Sequence, residues 1–553
     1  MRNYEPNVDG IIALYQQLED DILSAIVRRM LKMGYVSDAS KHQIEVLQAA
    51  GLLYDDIIQL IADRTDASTA QVKALFEDAG VQTVAIDNDI HEEAGEIPVD
   101  IRQDAAMKQV LEAGYRKTLG TMQNLVSTTA DNAQTAFIQM CDRAYMQVSS
   151  GAFSYQQAIM QAVRELADTG AYVTYPTGHT DRLDVAVRRC VLTGVGQTTA
   201  AVSKKHAEEA GCRYMELTAH SGARPEHARW QGQLVIIKGE RTEKYIDGLK
   251  VFTLAEIGYG DGAGFKGWNC RHDWHPYYVG YSTPNYTQEE LKKLDEPCIL
   301  YNGKMYTEYE ISQMQRAGER KVRAWKRRCI TSQEAMKSAP DEAAKAAAQA
   351  EYSKSAVKLK ATEQKLKDFC RDTGQDRDRF REQVVGFGRS QAQRAVQSNN
   401  THFRKTMREK GFENPPKSLA IFEKMRYTNP KEYDLMKSYE KSVDTGMLSP
   451  LVGYEKYKEY HNRVENELVG ITTSNGITVK SQSKHFLERV FGTISDPSHG
   501  GRPRNGVELE KIADALKNGS VRQHKNGSYV YTAPDCEVSL NPNTGNLIQV
   551  TPK

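Results

Sequence analysis

Two clusters of histidine, cysteine, tryptophan and glycine lie between Thr218 and Ser282 of this 553-residue chain. The first cluster contains His220 and His227, and the second contains Cys270 and His272. Cys270 and His272 are two residues apart, so in an extended segment their side chains leave the same face. Imidazole nitrogen and thiolate sulfur are common ligands of tetrahedral zinc. These four residues are therefore the candidate ligands of a structural zinc ion.

Two other interpretations of the same residues stay open. The spacing His-x6-His with Cys-x-His lacks the paired Cys-x2-Cys that is typical of zinc fingers. Without metal, the side chains would form a hydrogen-bonded polar core around Trp230, Trp268 and Trp274. A metal-dependent enzyme is the least favoured interpretation, because no carboxylate is placed as an obvious base for a bound water.

The elements that must position these clusters are mainly helical. Apolar residues recur at helical spacing, which predicts helices at 10–33, 43–62, 69–79, 101–126, 131–149, 154–168 and 181–210. The second and third of these have helix-turn-helix spacing, but Glu77 and Asp78 disfavour contact with phosphate, so a packing scaffold is predicted. Residues 212–217 alternate like a strand and lead into the first cluster.

Length and composition limit the classes of protein. At about 150 residues per domain, a chain of this length is expected to hold three or four domains. No apolar run approaches the roughly 20 residues that span a bilayer, so we expect no membrane partner. The N-terminal residues lack an apolar signal-peptide core, and the eight cysteines are scattered. Both features favour a reducing cytoplasm over secretion.

Charge is distributed unevenly along the chain. Residues 1–100 carry 7 Lys and Arg against 19 Asp and Glu, a net charge of −12, so the remainder carries +13 of the total of +1. Residues 389–426 alone contain nine Lys and Arg and three Asp and Glu. One end of the chain is thus expected to avoid nucleic acid and the other to tolerate it. Two solvated faces of opposite charge would give the same pattern.

Two strings resemble a known family. AHSGARPEHARWQG begins at Ala219 and GFKGWNCRHDWHP begins at Gly264, and both are similar to phage minor capsid proteins of the MuF type (the phage minor capsid protein 2 family). The resemblance extends more loosely to about Gly388. It implies a structural protein of the phage head, assembled in the bacterial cytoplasm. Its implied partners are the portal protein, capsid or scaffolding protein, and packaged DNA.

Together these features predict a multi-domain fold. It has a mainly α-helical N-terminal body with a small α+β MuF-like unit, a long helical segment, and a C-terminal α+β domain of two helices plus an antiparallel sheet. The predicted regions are an acidic helical region at 1–100, a MuF-like minor head domain at 101–300, a long helical segment at 301–388, a basic linker with short helices at 389–470, and the C-terminal domain at 471–553. The composition of residues 332–369 predicts a long helix that forms a hairpin with 307–329.

The C-terminal region reads as an independent domain. The pattern predicts helices at 482–491 and 507–517, a polar loop at 496–504, and strands at 476–479, 521–524, 529–532, 536–540 and 547–551. His485 and Arg489 lie one helical turn apart on one face of the first helix.

This layout is similar to the barnase, EndoU, colicin and RelE group of small toxin ribonucleases, which occur fused to MuF-type proteins. The strings KHFLERVFGT from Lys484 and NPNTG from Asn541 carry the resemblance. It implies RNA cleavage without metal, and an immunity protein as a further partner. The implied roles are His485 as general base, Arg489 and Arg502 as phosphate ligands, His499 or His524 as acid, and Tyr529 or Thr532 beside the scissile phosphate.

An alternative function needs no reaction. The chain would then be a purely structural minor capsid protein whose C-terminal domain docks on portal or capsid. In that case His485 and Arg489 form only an exposed polar helix face.

Overall fold

The chain forms two compact units. The computed structural model describes residues 6–294, 296–496, 502–524 and 527–553, and leaves out the side chains of 495, 496 and 502. Unit 1 is Met1–Val396 and unit 2 is Gln397–Lys553. Within the described ranges, no helix combines the length and apolarity needed to cross a membrane.

Unit 1 is built mainly from helices. They are α1 Asp9–Met33, α2 Ala39–Glu93, α3 Ala105–Ser149, α4 Tyr155–Thr169, α5 Leu183–Glu209, α6 Pro225–Ala228, α7 Gln288–Leu294, α8 Glu308–Lys337 and α9 Glu342–Thr373. Several begin at a side chain that accepts a hydrogen bond from the first turn, such as Asp38 for α2 and Asp104 for α3. Ser154 and Thr307 form capping boxes at α4 and α8.

Two predicted helix breaks were wrong. Helix α2 runs through residues 63–68 without interruption, so the helix-turn-helix spacing does not correspond to a turn. The segment holds neither glycine nor proline, and the buried positions Ile57, Val72 and Phe76 keep one face on the core. Helix α3 likewise continues through residues 127–130. Continuous burial of one face outweighs a short polar stretch in such long helices.

A five-stranded mixed sheet carries the two sequence clusters. The strands of unit 1 are β1 Tyr172–Thr174, β2 Thr180–Arg182, β3 Tyr214–Leu217, β4 Leu234–Ile236, β5 Tyr245–Ile246, β6 Leu249–Thr253, β7 Trp274–Tyr277, β8 Ile299–Tyr301 and β9 Lys304–Tyr306. The order is β5-β6-β4-β3-β7, with β4 and β6 parallel. Met215 and Trp274 lie in one apolar cluster, and Tyr214 and Tyr277 in another, because side chains alternate between the faces.

Helices α8 and α9 form the predicted helical hairpin, which turns at Pro340. Buried ion pairs join α8 to the N-terminal helices. Glu19 of α1, 2% exposed, lies 3.6 Å from both Arg182 Nη1 and Arg327 Nη1. Arg323 of α8 also pairs with the buried Asp184 of α5.

Helices α3 and α5 approach each other closely at two glycines. A Cβ at Gly114 would lie 2.0 Å from Oγ1 of Thr198, and a Cβ at Gly194 would lie 2.1 Å from Oγ1 of Thr118. Each glycine therefore leaves the space that the threonine side chain of the other helix occupies.

Unit 2 combines helices with a second sheet, and helix α10 contains the boundary between the units. Its elements are α10 Arg389–Glu409, α11 Leu419–Thr428, α12 Pro430–Asp444, α13 Tyr454–Glu467, β10 Ser481–Gln482, α14 Lys484–Phe491, β11 Gly492–Asp496, β12 Arg502–Asn505, α15 Leu509–Asn518, β13 Ser520–Gln523, β14 Tyr529–Thr532, β15 Cys536–Leu540 and β16 Asn546–Pro552. The main sheet has the order β10-β16-β15-β14-β13. Only the β10–β16 pair is parallel among these strands.

The predicted fold class is confirmed, but three details of unit 2 differ from expectation. Residues 397–470 were expected as part of a linker, yet Phe412 and Tyr439 share one core with Phe486 and Val538. Aromatic residues of the short helices in 397–470 face this core and pack in it. The expected polar loop at 496–504 overlaps the end of strand β11 and most of strand β12, which pair with each other. The expected strand at 476–479 forms only an isolated bridge between Thr478 and Thr472.

The α3–α5 contact gives the first testable prediction. Gly114→Ala is expected to destabilise unit 1 by about 1–3 kcal/mol, because the β-branched Thr198 cannot rotate every atom out of the way. Gly120→Ala on the same helix has open space, and it is expected to stabilise by roughly 0.5–1 kcal/mol. Thermal or urea unfolding measures both. Equal effects of the two changes would contradict the close helix contact.

Candidate functional site

The sheet brings the two sequence clusters together. Strand β3 pairs antiparallel with β7, and Leu217 lies opposite Trp274. The segment that follows β3 and the segment that precedes β7 therefore lie at the same end of the sheet. The first carries His220 and the short helix α6 with His227, and the second carries Cys270 and His272.

Three of the four predicted ligands meet in a geometry that suits zinc. Ligand atoms of His227, Cys270 and His272 all lie within 4.8 Å of one another. Cys270 Sγ is 3.6 Å from His272 Nδ1 and 3.9 Å from His227 Nδ1. A tetrahedral zinc with Zn–S of ~2.3 Å and Zn–N of ~2.05 Å would separate sulfur and nitrogen by about 3.6 Å.

Neighbouring acceptors fix which ring nitrogens face the thiol. His227 Nε2 lies 2.9 Å from the carbonyl oxygen of Ala263, and His272 Nε2 lies 3.1 Å from Oε1 of Gln231. The oxygen acceptor places the proton of His272 on Nε2, so its Nδ1 is unprotonated and faces Cys270. Nε2 of His227 has two neighbours, the carbonyl oxygen of Ala263 and, at 3.0 Å, the donor Nη2 of Arg224. Such second hydrogen bonds orient histidine ligands in metal sites.

Burial keeps the imidazoles neutral. His272 is 1% exposed, and burial, with the charges of neighbouring histidines, lowers its pKa to about 2. Burial also lowers the pKa of His227. The same burial raises the pKa of the Cys270 thiol, against the opposing charge of Lys266. A cation between the three side chains would offset that penalty and favour the thiolate.

His220 is the remaining candidate ligand. Its ring centroid lies 4.4 Å from that of His272. Its Nδ1 is 2.9 Å from the carbonyl oxygen of Ser221, while its Nε2 is buried with no hydrogen-bond partner among the described residues. His220 is thus placed beside the three-residue group but not within it.

Close backbone contacts hold the second cluster in shape. A Cβ at Gly264 would lie 2.1 Å from the carbonyl oxygen of Gly258, and one at Gly267 would lie 2.3 Å from that of Asp261. Trp230 and Trp274 are buried, but Trp268 is 57% exposed. The expected polar core around three tryptophans therefore includes only two of them.

A second candidate site lies in unit 2 at His485. Its Nδ1 is 3.3 Å from Oε2 of Glu488, and its side chain is 42% exposed. Glu488 is 2% exposed and also accepts hydrogen bonds from Lys484 and, at 2.6 Å, from Ser442 Oγ. Burial alone would raise the pKa of Glu488, but these hydrogen bonds and the charge of Lys484 lower it to about 2.

The other predicted catalytic residues are spread over unit 2. Arg489 is buried in α14, which packs against β16. Tyr529 and Thr532 lie on β14, and His524 follows β13 at the far edge of the sheet. Three strand spacings separate β16 from β13, roughly 14 Å. The structure therefore does not bring His524 to His485. His499 and the side chain of Arg502 lie outside the described residues.

Several residues of both sites were not identified from sequence. Glu488 was visible as the carboxylate three positions after His485, whereas Ser442 comes from a helix that was assigned to a linker. Arg504 donates from Nη1 to Thr551 Oγ1 at 3.4 Å, adding a cation near β16. The acceptors beside His227 and His272 could not be identified from sequence. One is the backbone carbonyl of Ala263, which any residue carries, and the other is the side-chain amide of Gln231, a common residue type.

The chain belongs to the phage minor capsid protein 2 family, whose model matches residues 2–371. The predicted recognition of a phage minor capsid protein is thereby confirmed. The match contains both clusters and all of α1–α8.

Two phage proteins are similar to parts of the chain. A structural protein of Lactococcus phage LL-H is 24% identical over 332 residues, which are 58% of this chain and 85% of that protein. A structural protein of Lactococcus phage mv4 is 40% identical over 81 residues, which are 15% of this chain and 57% of that protein. No solved structure matches the chain. The protein is thus a phage structural protein, and a component of the virion.

The ligand geometry predicts bound metal. Purified full-length protein is expected to contain about one zinc per chain by elemental analysis. Cys270→Ala and His272→Ala should lose the metal and lower the unfolding temperature, because each removes a ligand. Cys298→Ala removes an exposed free cysteine elsewhere and should retain it. A folded, metal-free wild-type protein would rule out the zinc site.

Proposed function

We propose that this virion protein is a minor head protein that binds the portal, and that unit 2 is a metal-independent ribonuclease toxin. Portal, capsid or scaffolding protein and packaged DNA are the proposed partners of the body. RNA and an immunity protein are the proposed partners of unit 2. Assembly takes place in the bacterial cytoplasm, and the mature protein lies in the phage head.

An exposed apolar face on α2 supports binding to another protein. Ile44, Leu47 and Ile58 are 57%, 62% and 40% exposed. At 3.6 residues per turn they fall within about 60° of one another around the helix axis. Apolar side chains grouped on an exposed face are typical of protein interfaces. We assign this face to the portal.

The candidate zinc centre supports an architectural role for the second cluster. Its imidazole and thiol groups are oriented by neighbouring acceptors and held away from bulk water. A structural zinc would join the segment after β3 to the segment before β7. The small sheet of unit 1 would then be rigid without a large apolar core.

The geometry at His485 supports the ribonuclease. Glu488 is buried and ionised, so it holds the proton of His485 on Nδ1 and would stabilise the imidazolium. The opposite nitrogen, Nε2, is then the free base. It would take the proton of an RNA 2′-hydroxyl while the 2′-oxygen bonds to phosphorus. The bond from phosphorus to the 5′-oxygen breaks, and that oxygen receives a proton from an acid.

A cation is needed to neutralise the charge that develops on the phosphate. Arg489 and Arg502 were proposed from sequence, but Arg489 is 2% exposed, which leaves Arg502 of the two. Arg504 is a further candidate beside Thr551. Guanidinium groups suit this role because they donate two parallel hydrogen bonds to phosphate oxygens. Of the two histidines proposed as the acid, His524 lies at the far edge of the sheet from α14, so His499 is the remaining candidate. Tyr529 or Thr532 would line the substrate.

Portal binding can be tested by charge substitution on α2. Ile44→Asp with Leu47→Asp should abolish co-purification with the portal protein of the same phage, since a charge would be buried at the interface. Ala67→Asp adds one such charge at an exposed position about 140° from Ile44 on this helix, and should have no effect. If the double variant co-purifies as well as the wild type, the α2 face does not bind the portal.

The ribonuclease is tested with a fragment that keeps helix α10 and the shared core, residues 389–553. Its expression should stop bacterial growth, and His485→Ala should abolish the effect because the base is lost. His402→Ala removes an exposed histidine of α10 and is the matched control. An RNA carrying one 2′-deoxynucleotide should resist cleavage there by the purified fragment.

A folded fragment that neither slows growth nor cleaves RNA would favour the structural alternative. Unit 2 would then dock on portal or capsid, and His485 would only form part of that surface. Glu488→Gln separates the two roles. It should reduce cleavage by weakening the base while leaving binding to a capsid partner unchanged.

A further inference from the structure

Lys484 is joined to His485 through a shared carboxylate. Both residues lie in the first turn of α14, and Glu488 lies one turn further along the helix. Oε1 of Glu488 accepts a hydrogen bond from Nζ of Lys484, and Oε2 lies 3.3 Å from Nδ1 of His485. One carboxylate therefore holds an ammonium group next to the imidazole ring.

A buried serine holds the same ammonium group from α12. Ser442 is 0% exposed, and its Oγ accepts a hydrogen bond from Nζ of Lys484 at 3.2 Å. The Ser442 hydroxyl also donates to Oε1 of Glu488 at 2.6 Å. Nζ, Oγ and Oε1 thus form a closed triangle of hydrogen bonds. The ammonium group is already fixed before a ligand binds, which lowers the entropic cost of binding.

The ammonium group keeps a donor for a ligand. A lysine ammonium has three N–H donors. Among the described residues, Glu488 and Ser442 accept two of them, which leaves the third. The side chain of Lys484 is 32% exposed and that of His485 is 42% exposed. A ligand that reaches the His485 ring from solvent can therefore also contact Lys484.

The arginines considered above are placed differently. Arg489 is 2% exposed, which keeps it from a polymeric substrate. Arg504 donates to Thr551 on β16. Lys484 is distinguished from both by its hydrogen bond to the carboxylate that also holds His485.

The charges of the three side chains suit phosphate chemistry. Burial opposes ionisation of Glu488, but hydrogen bonds from His485, Lys484 and Ser442 lower its pKa to about 2. With a neutral His485 ring, the charges of Lys484 and Glu488 cancel. When the ring accepts a proton, the group becomes positive. That change coincides with the growth of negative charge on a phosphate under attack.

We propose that Lys484 is the phosphate-binding cation of the His485 site, with Nζ donating to a non-bridging oxygen of the scissile RNA phosphate. This rests on the proposed ribonuclease function and adds a residue that contacts the substrate. Lys484 transfers no proton: the 2′-hydroxyl proton goes to Nε2 of His485, and the acid protonates the departing 5′-oxygen. The ammonium group acts as a point charge while one bond to phosphorus forms and the other breaks.

Binding of an uncleavable RNA tests the contact without any reaction. The probe is a fluorescein-labelled tetranucleotide in which fluorine replaces every 2′-hydroxyl, and anisotropy measures its affinity for the full-length protein at several salt concentrations. Lys484→Met removes the charge and keeps an unbranched side chain. At about 0.1 M salt it should weaken binding roughly fivefold, because one phosphate of a single strand contributes about 0.7 to the slope of log affinity against log salt. That slope should become shallower by the same amount.

Controls separate the phosphate contact from general effects. Lys517→Met removes an exposed lysine of α15 and should leave affinity and slope unchanged. Lys484→Arg retains the positive charge and should restore the slope. If Lys484→Met does not fold, acetylation of wild-type lysines followed by mass spectrometry replaces it. The bound probe should then protect Lys484 and leave Lys517 reactive.

Cleavage measures the same residue during the reaction. Lys484→Met should lower kcat for RNA cleavage by roughly 100-fold, since the cation stabilises charge that develops in the transition state. Lys517→Met should cleave RNA at the wild-type rate.

Three outcomes would overturn the proposal. They are no measurable binding of the probe, equal salt slopes for Lys484→Met and Lys517→Met, and equal acetylation of Lys484 with and without the probe. Cleavage at the wild-type rate by Lys484→Met would remove Lys484 from the reaction and leave the ribonuclease in place. A wild-type protein that binds the probe through Lys484 but cleaves no RNA would retain the phosphate contact and exclude the ribonuclease.

Discussion

The buried charge of Glu19 is the constraint on which the arrangement of unit 1 depends. Glu19 on α1 is 2% exposed, and its carboxylate is surrounded by Arg182, Arg327 and the backbone amide of Ala171, which donates at 3.2 Å. Removing one partner of a buried ion pair costs about 3–5 kcal/mol, because the other charge stays buried. The network therefore fixes α8 against α1 and the β2 strand. Since the start of α8 also contacts the loop at Gly222, the same constraint helps to position the segment that carries His220 and His227.

The candidate zinc centre and the His485 site each contain a histidine with a hydrogen-bond acceptor on one ring nitrogen. The two histidine rings differ in their exposure to solvent. In each, an acceptor fixes the proton on one imidazole nitrogen and leaves the other free. At His272 the acceptor is the neutral Gln231, and burial keeps the ring uncharged, which suits a metal ligand. At His485 the acceptor is the ionised Glu488, and the ring reaches solvent, which suits proton transfer. The environment, more than the residue type, determines the chemistry that each histidine can perform.

Sequence patterns located most helices and strands because periodic burial is a local signal. Strands β14 and β15 were predicted with the observed limits, and the α8–α9 hairpin was anticipated from composition. The break in α2 was wrong, because a polar stretch without glycine or proline does not end a helix whose flanks are packed. The role of residues 397–470 was also missed. Their aromatic residues, such as Tyr439, pack against α14 and the sheet, and no local pattern reveals such distant contacts.

The sequence by itself determined the family and the identity of the candidate ligands, since both depend on residue types in short strings. Pairing of β3 with β7 decided that His227, Cys270 and His272 meet, and it left His220 just outside their group. The tertiary structure alone placed His524 at the far edge of the sheet from α14. The physical reason is that the type of each single residue decides whether it can act as a metal ligand. Distance, burial and neighbouring charge arise only when segments far apart in the chain pack together.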